Sequence, residues 1–200
     1  MVTLPPLPYA FGALAPAISA EGVKRHYEDN HAKYARTFNE LTASGQYKDA
    51  PLASVLERAT LNSPVYNNAA QFWAHNMWWE GMRPPPVGGT PPTGKAAEVV
   101  AQFGSYAKFQ QEWVTKGTAL FGSGWVWLTL DKSGKAYIEA LPNAVLPQRD
   151  SGRYPILVSD LWEHAYYCQY GTNRKEYLQR FFSVVNWGSA NDRIRYWSAL

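Results

Sequence analysis

Apolar and polar positions follow two rhythms along this 200-residue chain, and each rhythm predicts its own kind of element. The first eight residues hold Pro5, Pro6 and Pro8 and read as an extended arm. After Pro16, Ser19 is placed to cap a helix from about Glu21 to Ser44, with Gly45 as its stop. On that helix His26, Asn30 and Tyr34 fall at i, i+4 and i+8, with Tyr27 and His31 on the neighbouring stripe. A short helix is expected after Pro51, over Leu52 to Glu57. Ser63-Pro64 is a cap followed by proline at the first helical position, so a long helix should run to about Trp79 and end at Gly81. Asn67, Gln71 and His75 share one stripe of it. Two long helices with a modest connection favour an antiparallel helical hairpin, which would bring the His26 and His75 stripes face to face.

The prolines and glycines between Arg83 and Pro92 mark a boundary. Beyond it, helices are predicted over Lys95 to Phe103 and Tyr106 to Phe121, the second capped by Ser105. The rhythm then shortens to strands: Trp125 to Leu130, a turn at Asp131 to Gly134, and Lys135 to Ala140 make a hairpin. Tyr154 to Asp160 supplies a third strand. Asn173 caps a helix from Arg174 to about Val185, and a last amphipathic helix covers Ser189 to Trp197. The expected class is α+β. An N-terminal helical hairpin domain spans 1–83, a Pro/Gly linker 84–94, and an α/β domain with a three-stranded antiparallel sheet 95–200.

Composition narrows this picture. Charged residues make up 18% and aromatic ones 15%, with nine Trp and thirteen Tyr. So many large rings imply an aromatic-walled site, an extensive interface, or both. A net charge of +3 without a basic run argues against nucleic-acid binding. No stretch reaches the roughly 20 apolar residues of a membrane span. The start lacks the build of a signal or transit peptide. Cytoplasm is the expected compartment, or a mitochondrial or plastid matrix if a presequence has been removed. Cys168 is the single cysteine, so no intrachain disulfide forms, and among aromatic neighbours it reads as a small buried apolar residue.

The chemistry concentrates in Asp160-Leu161-Trp162-Glu163-His164, directly after an apolar strand. A carboxylate and an imidazole in such surroundings need a partner: a metal ion, or one another. His75 alone could pack within the aromatic residues around it. Taken together, His26, His75, Asp160 and His164 make three imidazoles and one carboxylate on facing elements. That set suits iron or manganese and leaves room for one solvent ligand.

Several segments carry a resemblance: Leu4 to Tyr9, His26-Tyr27, Asn67 to Gln71, His75, Pro92 to Lys95, Phe121 to Leu128, Asp160 to Tyr167, and Val185-Asn186-Trp187. In this order along the chain they are similar to the iron/manganese superoxide dismutase family. The resemblance implies metal ligands at His26, His75, Asp160 and His164. It implies a cycle in which one superoxide anion is oxidised to dioxygen and a second is reduced to peroxide with two protons. Gln71, one turn before His75, matches the iron-type glutamine that reaches solvent on the metal. The manganese type generally has a glutamine after Asn143, where this chain has Ala144, so iron is expected, one per chain, with manganese the alternative. Tyr34 resembles the gateway tyrosine that supplies protons. His31 stands with it among the catalytic candidates. Trp73, Trp79, Trp125, Trp127 and Trp162 resemble the apolar cage, or are simply core. Arg174 matches an arginine near the funnel mouth, or is a helix-start arginine of no special role.

Three departures stand out: Asn30 where the family usually has the first of two histidines, Trp78 for a smaller ring, and Met77 for an aromatic residue. In the family, that histidine bonds a tyrosine of the partner subunit, here matched by Tyr167. Glu163 matches a residue that reaches the partner's counterpart of His164, so a homodimer is implied, with pairing beyond the dimer left open. Two other readings share these residues. A non-haem iron oxygenase would need two histidines and one carboxylate with several open positions. A non-catalytic relative would keep the fold as an assembly subunit.

Overall fold

The computed structural model describes residues 1–198. Ser19 caps the first helix, its hydroxyl accepting from Gly22 N at 3.1 Å. That helix is not uniform. It runs as α1 (Ala20–Arg25), passes through a π-helical turn at His26–His31, and resumes as α2 (Ala32–Leu41). The wide turn inserts an extra residue, as π-bulges at functional sites often do. It corrects the simple i, i+4, i+8 stripe: His26 and His31 both turn inward, and Asn30 is left half-buried. The helix stops at Leu41, short of Ser44, because Thr42 folds its hydroxyl back to donate to Phe38 O at 2.8 Å.

Helix α3 (Leu52–Arg58) precedes α4 (Pro64–Glu80), whose N-terminus is capped by Ser63, which accepts from Tyr66 N. Helices α2 and α4 pack together as the expected hairpin. The Pro/Gly segment after it is pinned rather than free. Arg83 N donates to Val184 O at 2.7 Å and Gly88 N to Pro84 O at 2.8 Å. A Cβ on Gly88 would lie 1.9 Å from Arg83 O, so only glycine fits this approach.

Helices α5 (Gly94–Ala101) and α6 (Tyr106–Ala119) follow. α6 ends two residues before Phe121 because Leu120 turns extended and its carbonyl accepts from Arg174 Nη1 at 2.7 Å. Strands β1 (Gly124–Leu130), β2 (Ala136–Pro142) and β3 (Tyr154–Asp160) form an antiparallel sheet in the order β2-β1-β3. β1 lies in the centre and is buried at every position, which accounts for its continuous apolar run. A short helix, α7 (Pro147–Asp150), and α8 (Glu163–Tyr170) are additions that the periodicity did not predict. α9 (Arg174–Phe181) stops four residues before Val185, because Val185 turns to lie opposite Met82 in a bridge whose bonds run from Arg83 N to Val184 O and from Asn186 N to Gly81 O. α10 (Trp187–Ser198) closes the described chain.

One continuous apolar cluster runs from Leu14 in the helical part to Ile194 in the α/β part. Cys168 corrects the expectation of a buried thiol. α8 turns Ala165 and Tyr166 inward and leaves Cys168 exposed.

Candidate metal centre

The antiparallel register pairs Trp125 with Asp160, so the last residue of β3 is placed beside the first tryptophan of β1. Asp160 is wholly buried. His164 follows four residues later on α8, His75 comes from the middle of α4, and His26 comes from the π-helical turn. Three imidazole nitrogens converge on one carboxylate oxygen. Asp160 Oδ2 lies 3.1 Å from His26 Nε2, 3.5 Å from His75 Nε2 and 3.3 Å from His164 Nε2. One donor atom from each of the four residues falls within 4.8 Å of the others.

Local bonds set which atoms face this point. The Nδ1–H of His75 donates to the Gln71 carbonyl at 2.7 Å, leaving the Nε2 lone pair directed inward. Asp160 Oδ1 accepts from Trp162 N at 2.7 Å, so Oδ2 is the free oxygen. The contact between His26 Nε2 and His75 Nε2, 2.8 Å, is short enough for a hydrogen bond. It still leaves Asp160 Oδ2 and His164 Nε2 buried without a partner. A buried carboxylate oxygen is costly in that state. A first-row cation satisfies it and the three imidazoles at once, so the residues fit iron or manganese.

Electrostatics agree. Burial, with a smaller contribution from the charge of His164, lowers His26 to about 4. Burial, reinforced by His26, holds His75 well below its ordinary value. Burial alone would raise Asp160, but the neighbouring His164 and His26 outweigh it and hold the carboxyl below its usual range. Bare imidazoles and a carboxylate are the protonation states that bind metal.

The surrounding rings are those the sequence singled out, Trp78 among them as the larger ring in place of a smaller one. Trp125 meets His75 edge-on at 4.9 Å, Trp162 stacks on His164 at 5.8 Å, and Trp79 and Trp78 lie 5.0 and 4.7 Å from His26. Trp127 stands behind Trp125, and Trp73 behind Trp127. His31 stacks on His75 at 5.2 Å. It accepts the Trp79 indole N–H at Nδ1 and faces the Phe72 carbonyl with Nε2, at 3.2 and 3.3 Å. Burial and nearby His26 lower it to about 4.

Tyr34 lies 5.3 Å from the His75 ring, and its phenol is pushed up by burial and then by Asp160. Tyr34 and Gln71 line a pocket of about 400 Å³ with Asn62, Asn67, Asn68, Asn143, Ala144 and Trp162. Both polar atoms of the Gln71 amide are buried without a protein partner. Neither Asn62 nor Asn143 was expected as part of the pocket wall; both hold positive backbone φ, 63° and 54°, which asparagine tolerates in turns.

Arg174 sits apart from this pocket's lining. Its guanidinium donates to the carbonyls of Leu120, Gly122 and Leu161 and to the Tyr166 hydroxyl. It ties the segment before β1 to the residue after Asp160. On the outer face, Phe121 is wholly exposed and Tyr167 is 53% exposed. Glu163 is exposed and makes no ion pair among the described residues.

Comparison with known proteins agrees with this architecture. Residues 1–83 match the family model for the alpha-hairpin domain of iron/manganese superoxide dismutases, and residues 92–193 match the model for their C-terminal domain. The iron superoxide dismutase of Legionella pneumophila is 38% identical over 194 residues, 96% of this chain and 98% of that protein. The Mn/Fe superoxide dismutase of Porphyromonas gingivalis is 41% identical over 188 residues, 94% and 96% of the two chains. The iron enzyme of Escherichia coli K12 is 40% identical over 185 residues, 92% and 93%. Matched in order across both of its parts, the chain belongs to the iron/manganese superoxide dismutase family.

Proposed function

We propose that the protein is a superoxide dismutase holding one iron, with manganese as the alternative metal, at His26, His75, Asp160 and His164. The observation that carries this reading is the buried convergence of three imidazoles on Asp160 Oδ2 beside a pocket walled by Gln71 and Tyr34. Support for iron comes from the similar iron enzymes of Legionella pneumophila and Escherichia coli and from Gln71 on α4 with Ala144 in the loop. An oxygenase centre would leave more positions open than four protein donors allow. An assembly subunit without activity would have no need to keep all four.

When bound, the metal supplies the one-electron couple that takes an electron from one superoxide and returns it to a second. The protein's residues do the rest. Trp125, Trp79 and Trp162 exclude bulk water, which strengthens each electrostatic contact inside. Tyr34 keeps its phenolic proton at neutral pH, so its Oη is a proton source at the pocket wall. The buried, unpartnered Gln71 amide is free to hold a solvent molecule in line with that proton. His31 has both nitrogens engaged and holds the His75 ring in place; it is a positioning residue rather than a proton donor. For Arg174, positive charge is what remains to draw an anion, since its donors are taken. The test is product stoichiometry: metal-loaded protein should release one dioxygen and one peroxide for each two superoxide anions consumed. Peroxide without matching dioxygen would show a reductase instead.

Asn30, half-buried on the π-helical turn that carries His26 and His31, stands where the family usually has a group that titrates near neutral pH. Asn30→His should add a step in the rate near the ordinary histidine value of about 6.5, absent from the parent. Identical pH profiles for the two proteins would contradict a role for this position in proton or anion delivery.

The exposure of Phe121, Glu163 and Tyr167 supports a homodimer with an isologous interface. Light scattering at micromolar concentration should give twice the mass of one chain, and Phe121→Asp should halve it. A monomeric parent would remove Glu163 and Tyr167 from the functional account. No helix among the described residues is long and apolar enough to cross a membrane. An exposed, unpaired Cys168 suits a reducing compartment, the cytoplasm first.

A further inference from the structure

The aromatic wall of the metal centre continues outward on one side. Trp125 lies edge-on to His75 at 4.9 Å, Trp127 follows at 6.2 Å, and Trp73 stacks on Trp127 at 6.2 Å. The strand sets the spacing, since residues two apart on β1 share a face. Trp125 and Trp127 are wholly buried. Trp73 is half-buried and lines a surface pocket of about 270 Å³ with Met77 and Tyr154. The indole N–H groups of Trp125 and Trp127 are buried without any partner.

An indole that loses an electron becomes strongly acidic at its N–H. Where a base accepts the proton, the radical is neutral and stays put. Where none is present, the radical remains a cation and oxidises the next ring. Neither buried indole has an acceptor, and Trp73 reaches water.

We propose that Trp125, Trp127 and Trp73 form a path carrying oxidising equivalents from the metal centre to the surface, sparing the ligand histidines from the enzyme's own product. The proposal rests on the dismutase reading, which supplies hydrogen peroxide at the site. Peroxide takes up two protons and two electrons to become two waters. A divalent ion held by His26, His75, Asp160 and His164 would supply one electron, and Trp125 supplies the other and is left a cation radical. An electron then passes from Trp127 to Trp125 and another from Trp73 to Trp127. Trp73 releases its N–H proton to water and persists as a neutral radical until a small thiol donates it a hydrogen atom.

Other exits are poorer. Trp78 and Trp79 touch His26 but are 0% and 3% exposed. Tyr27, next to Trp79, holds its phenolic hydrogen against the Pro5 carbonyl, which is no base for that proton. Trp162 leads into the substrate pocket itself.

The experiment treats iron-loaded protein with hydrogen peroxide and a nitroso spin trap, then locates adducts by peptide mass spectrometry. The parent should carry its principal adduct on Trp73. Trp127→Phe, which keeps a ring but is harder to oxidise, should lower that adduct severalfold and shift modification to Trp125 or His75. Trp73→Phe, at the surface end, should shift it to Trp127. An undiminished Trp73 adduct in Trp127→Phe, a principal adduct on Trp162 in the parent, or an equal Trp73 adduct in metal-free protein would each overturn the path. Superoxide consumption is measured on the same samples before peroxide is added. An active enzyme without the Trp127-dependent pattern loses the path alone. A loaded protein that shows the pattern but consumes no superoxide loses the dismutase reading alone.

Discussion

Asp160→Asn is expected to fold, to lose its metal and to lose dismutase activity with it. The side chain is wholly buried at the end of β3, and its Oδ2 is the atom on which three imidazoles converge at 3.1 to 3.5 Å. Asparagine keeps the shape and can still accept from Trp162 N. What it removes is the one negative charge that offsets a cation in a site of otherwise neutral donors. In its place stands a neutral amide whose N–H₂ can donate to an imidazole lone pair, so the metal-free state gains the hydrogen bond it lacked. Changes to partners outside the ligand set cost ten- to a hundredfold in metal affinity or activity, so loss of this ligand should exceed about a hundredfold. Equilibrium dialysis against iron, with circular dichroism to confirm the fold, checks it. Parent-like iron content in Asp160→Asn would remove the carboxylate from the ligand set.

Gln71→Ala should give the opposite split: metal kept, activity lost. The backbone carbonyl of residue 71, not its side chain, fixes His75 Nδ1, so alanine leaves the ligand in place. The amide makes no hydrogen bond within the protein, so its removal breaks none, and only side-chain packing is given up. Stability should not fall by the roughly 1–3 kcal/mol that stranding a buried polar partner would cost, because no partner is stranded. The rate should fall about ten- to a hundredfold if the amide holds solvent in the pocket. Metal analysis beside a pulse assay of superoxide decay separates the two effects. An unchanged rate with full metal would reduce Gln71 to packing.

How much of this was legible in the chain differs from element to element. α4 was readable at both ends because its signals are local: Ser63-Pro64 at the start and Gly81 at the stop. The β1–β2 hairpin was readable for the same reason, its turn being built by Asp131 Oδ1 accepting from Ser133 N and Lys135 N. The four donors could be named from residue type and spacing, and the resemblance made the set specific. Their convergence could not be read, because it depends on the Trp125–Asp160 register and on the π-helical turn. Nothing in His26 to His31 signals that turn, since a π-helix uses the same residues as an α-helix. α8 was missed for another reason. Its aromatic residues lie on both faces, so it has no helical apolar stripe. The same absence of a stripe hid the outward register of Cys168. The shortened α9 and α6 end where tertiary bonds, to Arg83 and from Arg174, take over the backbone.

The central claim is that one metal ion, held by these four residues, performs the dismutation. Titrating metal-free protein with iron while following superoxide decay tests it most directly. The rate should rise linearly with bound iron and level off at about one ion per chain, and His75→Ala should show no rise. Stoichiometric iron binding to the parent without any gain in superoxide decay would contradict the account.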